Sequence, residues 1–183
     1  ALEAYSVPAP HPLCDGAALQ ALGLIAQNLP RVLEAPQDMA ARGAMLVGSC
    51  LAGVAFLKGL GLVHSISHMI GAEYNCHHGL TNAVVLPVVL EFNARSIDEK
   101  IAPLSRALGL ETTDFAGFQV AVNRLLDQCA IPKGLVTLGV DPASIPRLAA
   151  KAFEDTATGT NPRAASVSDI ETLIRKSMES TRP

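Results

Sequence analysis

The sequence predicts an all-α protein, and three observations carry that reading. Apolar residues recur at helical spacing through almost every segment. No run of strict apolar–polar alternation stands out, and the β-branched pairs Val84-Val85 and Val88-Val89 fall inside a helical pattern. Prolines, glycines and small capping residues punctuate the chain between the periodic segments, where helices start and stop.

Residues 1–5 read as the tail of a helix, closed by a loop in which Pro8, Pro10 and Pro12 forbid continuation. Asp15 then starts a helix over Gly16–Asn28, with Leu19, Leu22, Ile25 and Ala26 on one face and Pro30 as its stop. Asp38 caps a long helix through Gly59, and Gly59 and Gly61 separate it from a histidine-bearing helix over Leu62–Ile70. A turn containing Gly71 and Asn75 leads to a helix over Leu80–Asn93, which carries Pro87 and is expected to kink there because proline removes an internal hydrogen bond. Ile97–Leu108, Asp114–Gln128 and Pro142–Glu154 continue the series, the last opening on an Asp141 cap followed by proline. Ser166 and Asp169 form a capping signal for a final helix bearing Ile170, Leu173, Ile174 and Met178. No repeat, low-complexity tract or interdomain linker interrupts this order, although 131–134 marks a break.

A chain of 183 residues is long enough for one domain with a proper core and does not by its length ask for two. With 49% apolar and 17% charged residues it is compact and core-rich. A net charge of −3 supplies no basic field for phosphate backbones, so nucleic acid is not expected as a partner. The longest apolar run, Ala44–Leu57, falls short of the roughly 18–20 residues that span a bilayer and is followed by Lys58, so it reads as a buried core helix whose Gly48, Ser49, Ala52, Gly53 and Ala55 admit close neighbours. A membrane is not expected. Cys14, Cys50, Cys76 and Cys129 show no CxxC spacing and read as reduced thiols of a cytoplasmic protein, Cys76 being the one near chemistry. The chain opens without an initiator methionine or a signal pattern, as if in the middle of a helix.

The chemistry gathers between Gly61 and Gly79, where four of the five histidines fall within fifteen positions. His64 and His68 are four apart and share a helix face. The Gly71–Asn75 turn can return His77 or His78 toward it, and neutral imidazoles converging from a helix and the next loop suit a metal with an open position for substrate. Such a pair can also be no more than a polar face. A zinc-protease reading needs a glutamate directly after His64, and Ser65 stands there, so peptide hydrolysis of that type is excluded. No glycine-rich phosphate loop between a strand and a helix is visible.

Together, Leu51-Ala-Gly-Val-Ala-Phe56, Lys58-Gly-Leu-Gly-Leu-Val-His64, Ser67-His68, His77-His78-Gly79, Asn82-Ala-Val and Leu86-Pro87 resemble the iron-containing (group III) alcohol dehydrogenase family. Ala1-Leu-Glu-Ala-Tyr5 and Thr160-Asn-Pro-Arg163 resemble other parts of that family's C-terminal half, so the likeness runs to about Met178. It implies the bundle-like C-terminal helical domain of the dehydroquinate synthase-like fold over residues 1–183, without the N-terminal NAD(P)-binding α/β domain. It also implies that His64 and His78 are metal ligands for Fe(2+) or Zn(2+), that His68 is the catalytic histidine linked to proton transfer, and that NAD or NADP is bound mainly by the other domain. The family's first two ligands, an aspartate and a histidine, should precede the Ala1–Tyr5 segment. The chain is therefore expected to be a fragment that holds metal poorly and does not turn over alone. Expected partners are a small alcohol or aldehyde and further copies of the chain in a homo-oligomer. His77 is read as a loop neighbour, His11 as solvent-facing, Glu3 and Tyr5 as surface positions, and Phe56 as core. Asn161-Pro162-Arg163 is read as either an active-site wall or a loop that fixes the last helix. A glycerol dehydrogenase-like or dehydroquinate synthase-like enzyme, or a helical module without catalysis, are the alternatives.

Overall fold

The computed structural model describes residues 1–179. It is 77% helical, and among the described residues there is no strand. Nine α-helices follow in order among the described residues: α1 Leu2–Ser6, α2 Pro12–Glu34, α3 Met39–Ala55, α4 Leu62–Tyr74, α5 His78–Asn93, α6 Asp98–Ala107, α7 Phe115–Gln128, α8 Ile145–Glu154 and α9 Val167–Met178. Short 3-10 turns join several of them, among them Phe56–Lys58 and Thr156–Thr160. The chain divides into two compact units: Ala1–Gly59 with Ile97–Ala121, and Leu60–Ser96 with the chain from Val122 onward.

In the first unit α2 begins earlier and ends later than its sequence signals suggest. Pro12 occupies the first helical turn, where a missing N–H costs nothing, and His11 caps it by accepting from Cys14 N at 3.3 Å. The helix also runs through Pro30 to Glu34. Asp38 caps α3 as expected, accepting from Ala41 N at 2.9 Å. Gly48 lets α3 approach α2, since a Cβ there would lie 3.0 Å from Ile25 Cγ1.

The expectation that α3 is a buried core helix fails. Leu46 is 73% exposed and Leu57 76%, and Phe56, expected in the core, is exposed as well. From Met39 to Lys58 the mean hydropathy is 1.6, long and apolar enough to cross a membrane by length and composition, yet little of it is buried. Hydropathy reports what a helix can bury; it does not report which neighbours are present.

Tyr5 and Glu3 are not surface positions either. Glu3 is buried, and the carbonyl at Tyr5 accepts from Lys58 Nζ at 3.2 Å and Lys100 Nζ at 2.7 Å. The Lys58 side chain is only 2% exposed and pairs with Asp15 at 2.5 Å. Lys100 also donates to the Val7 carbonyl at 2.5 Å, so two cations close the C-terminal end of α1, where carbonyls lack helical partners.

The second unit has an apolar core of Leu62, Val63, Ile66 and Ile70 from α4, Val84, Val85, Val88 and Val89 from α5, Leu148 and Ala152 from α8, and Ile170, Leu173 and Ile174 from α9. Gly71 sits inside α4, which runs on to Tyr74 and ends at Asn75 in the left-handed region, φ 52°. Helix α5 passes through Pro87 without ending. The expected capping box of α9 is present: Asp169 N donates to Ser166 Oγ and Ser166 N to Asp169 Oδ2. Gly134, at φ 99°, brings its backbone against the Met178 carbonyl so closely that a Cβ has no room.

Candidate metal centre

All three histidines read as the functional set meet within the second unit. Ring centroids lie 5.8 Å apart for His64 and His68, 5.3 Å for His64 and His78, and 5.4 Å for His68 and His78. Helix α4 supplies the first two from adjacent turns. His78 is the first residue of α5, returned to that face by the Asn75 turn.

His64 and His78 turn their Nε2 atoms toward one group. Asn82 Nδ2 lies 3.4 Å from His64 Nε2 and 3.1 Å from His78 Nε2. An amide N–H pairs with an unprotonated ring nitrogen, so the shared contact places both Nε2 atoms around one centre. The Asn82 carbonyl oxygen is buried without a hydrogen-bond partner, so the amide is held by the rings and not by its own acceptor. At the other edge of His78, Nδ1 lies 3.4 Å from Ser67 Oγ, whose hydrogen is directed to the His64 carbonyl at 3.1 Å. Nδ1–H is then the donor to Ser67, and Nε2 keeps its lone pair for Asn82. Burial first, and then the neighbouring His64, His68 and His77, push the His78 imidazole below its ordinary value and favour the neutral ring.

His68 is held differently. Its Nδ1 lies 3.0 Å from Asp155 Oδ2, and its side chain is 40% exposed against 14% for the carboxylate. The other carboxylate oxygen accepts from Ala157 N at 2.8 Å, capping the Thr156–Thr160 turn and immobilising the group. A carboxylate accepts only, so Nδ1 carries a proton in this contact. Among the described residues no cluster of three or more His, Cys, Asp or Glu side chains could hold a metal ion. What the chain presents is a pair of donors with a third imidazole beside it. Such a set fits one side of an iron or zinc site.

The remaining candidates fall elsewhere. His77 caps α5, accepting from Leu80 N at 3.3 Å. Cys76 Sγ faces the Leu138 carbonyl at 3.4 Å, and burial raises its thiol, which disfavours the thiolate. Asn161 joins α4 to α5: its Oδ1 accepts from Leu62 N at 3.2 Å, and it exchanges two amide bonds with Asn93 at 2.8 and 3.1 Å. Arg163 lies over the Phe92 ring at 3.8 Å and donates to the Phe92 carbonyl. The 161–163 loop thus fixes α4 and α5.

Sequence reading missed Asp155 and gave no role to Ser67 or Asn82. Asn82 was findable, being one helical turn beyond His78. Asp155 is 87 positions from His68 and carries no local signal.

Comparison with known proteins agrees with this architecture. The profile of the C-terminal part of the Fe-containing alcohol dehydrogenase family matches residues 1–178. The NAD-dependent methanol dehydrogenase of Bacillus methanolicus is 38% identical over 97% of this chain and 49% of its own length. The 1,3-propanediol dehydrogenase of Citrobacter freundii is 37% identical over 96% of this chain and 47% of its own. Among solved structures, the alcohol dehydrogenase from Oenococcus oeni superposes with a TM-score of 0.89 at 30% identity, covering 96% of this chain and 48% of that one. The chain spans about half the length of the relatives it matches.

Proposed function

Because the chain belongs to the Fe-containing alcohol dehydrogenase family, we propose that it supplies the helical, metal-facing half of an NAD(P)-linked enzyme that interconverts an alcohol with an aldehyde or ketone. The observation that carries this reading is the convergence of His64 Nε2 and His78 Nε2 on one amide, with His68 and its carboxylate beside them. Relatives named for methanol and 1,3-propanediol support a small alcohol as substrate.

His64 and His78 would hold the cation, Fe(2+) or Zn(2+), through Nε2. When bound, such an ion supplies Lewis acidity toward the substrate oxygen, easing loss of the hydroxyl proton and of hydride to a nicotinamide. Ser67 orients the His78 ring and selects the tautomer with Nε2 free. Asp155 does the same for His68, whose Nε2 takes up a proton while the carboxylate stabilises the resulting imidazolium. Partial exposure of His68 lets that proton pass to water. The nicotinamide cofactor, NAD or NADP, would be bound mainly by protein outside this chain. Further copies of the chain are proposed as partners in a homo-oligomer, with the apolar face of α3 as surface available for burial.

The test is nicotinamide-linked oxidation of short alcohols and diols by the natural gene product that carries these residues. His64→Ala and His78→Ala are each expected to abolish turnover, and His68→Ala to lower kcat by about 100-fold. Undiminished turnover in both ligand variants would end this assignment.

A further inference from the structure

The segment from Asp155 to Asn161 meets α4 at a constant offset. Asp155 Oδ2 is 3.0 Å from His68 Nδ1, Thr158 Oγ1 is 2.8 Å from Ser65 Oγ, and Asn161 Oδ1 accepts from Leu62 N at 3.2 Å. Numbers ascend by three on the segment and descend by three on the helix. The reason is geometric: a 3-10 turn has three residues per turn, so 155, 158 and 161 lie along one side, while positions three apart on an α-helix are neighbours on one face. Thr160 Oγ1 adds a bond to the Leu60 carbonyl at 2.7 Å, just ahead of α4.

The lower rungs are out of water. Ser65 is fully buried, and Asn161 and Asn93 nearly so. Gly61, at the N-cap of α4, has no side chain to satisfy the helix's first N–H groups, and Asn161 takes one of them. Asn161 also donates to the Arg163 carbonyl at 2.7 Å. The apolar contacts of α4 (Leu62, Val63, Ile66 and Ile70 against valines and leucines) are of one chemical kind and discriminate poorly between neighbouring helix settings. Buried, directional polar bonds do discriminate, because a slipped helix leaves each of them unsatisfied. A slip of one residue turns a helix by about 100°, enough to carry His64 and His68 off the face shared with His78 and Asn82.

We infer that residues 155–161 are a ruler that sets the axial and rotational position of α4, with Thr158 and Asn161 as positioning residues for His64 and His68. This inference rests on the reading of those histidines as the reacting centre, but its ruler is testable apart from it.

The experiment uses the 183-residue chain with Thr158→Val, Thr158→Ser and Asn161→Asp, the last keeping an acceptor for Leu62 N and losing both donors. The readouts are imidazole nitrogen shifts by NMR without metal, Zn(2+) affinity, and the unfolding midpoint. Thr158→Val is expected to move the His64 and His68 ring signals and to weaken Zn(2+) binding by about tenfold, the scale of changes behind metal ligands. Thr158→Ser is expected to restore both. A purely structural threonine lowers the midpoint and leaves the ring signals in place, and that result in Thr158→Val overturns the inference even if Asn161→Asp does not fold. If instead the parent chain's His64 and His78 signals ignore Zn(2+), the metal reading fails while the metal-free shifts still judge the ruler.

Discussion

Consider the affinity of the 183-residue chain for Zn(2+). A complete four-ligand zinc site in a small domain yields roughly 10–16 kcal/mol near neutral pH; two of four donors, counted in proportion, give about 5–8. Binding must also displace the Asn82 amide from His64 and His78, where it makes contacts of 3.4 and 3.1 Å. At about 0.5–1.5 kcal/mol net for each hydrogen bond, that leaves about 2–7 kcal/mol, a Kd from roughly 10 μM to tens of millimolar. Competition against a chromophoric chelator, with imidazole NMR to identify the ligands, measures it. His64→Ala or His78→Ala should abolish specific binding, and His68→Ala, whose Nδ1 is engaged by Asp155, should change it little. Nanomolar retention of metal, or binding that survives loss of His78, refutes the two-donor reasoning.

Asp15→Ala should destabilise the protein by about 3 kcal/mol, because it leaves the Lys58 ammonium buried without its carboxylate; a double variant with Lys58→Met should recover most of that in denaturant titrations. Lys100 is held at about 8, first by burial and then by Lys58. Its folded value is below the unfolded one of about 10.4, so the unfolded state binds more protons between the two and stability rises with pH across that window. The stability advantage over Lys100→Met should therefore widen from about pH 8 to 10, and a constant or shrinking gap contradicts this account. Gly134→Ala should cost at least about 2 kcal/mol, since φ is 99° and the new Cβ meets the Met178 carbonyl, which a thermal melt will show. Ser166→Ala should cost about 1 kcal/mol through loss of the α9 cap, measurable as a shift in the denaturant midpoint.

Local signals were legible and tertiary ones were not. The Asp38 cap of α3 and the Ser166–Asp169 box of α9 were foreseeable because both partners lie within one turn. The start of α2 is not legible locally, because Pro12 carries a breaker signal that the first helical turn nevertheless tolerates. The end of α4 is not legible either, because Gly71 carries a turn signal while the chain turns only at Asn75. The spacing of His64 and His68 placed them on one helix face, while the turn alone left His77 and His78 open and only the family resemblance singled out His78. The exposure of α3 was hidden, since an apolar pattern does not say whether a neighbour covers it. Asp155 was hidden for a related reason: its partner is chosen by folding of α8 and the following turn against α4.

The three-residue step between the 155–161 segment and α4 has an evolutionary consequence. Deleting or inserting one residue between Asp155 and Asn161 breaks the match at every rung beyond the lesion, whereas most substitutions touch a single rung. Length in this stretch should therefore be guarded more strictly than composition, and natural gaps among homologous chains should cluster elsewhere, in loops such as the one joining α6 to α7.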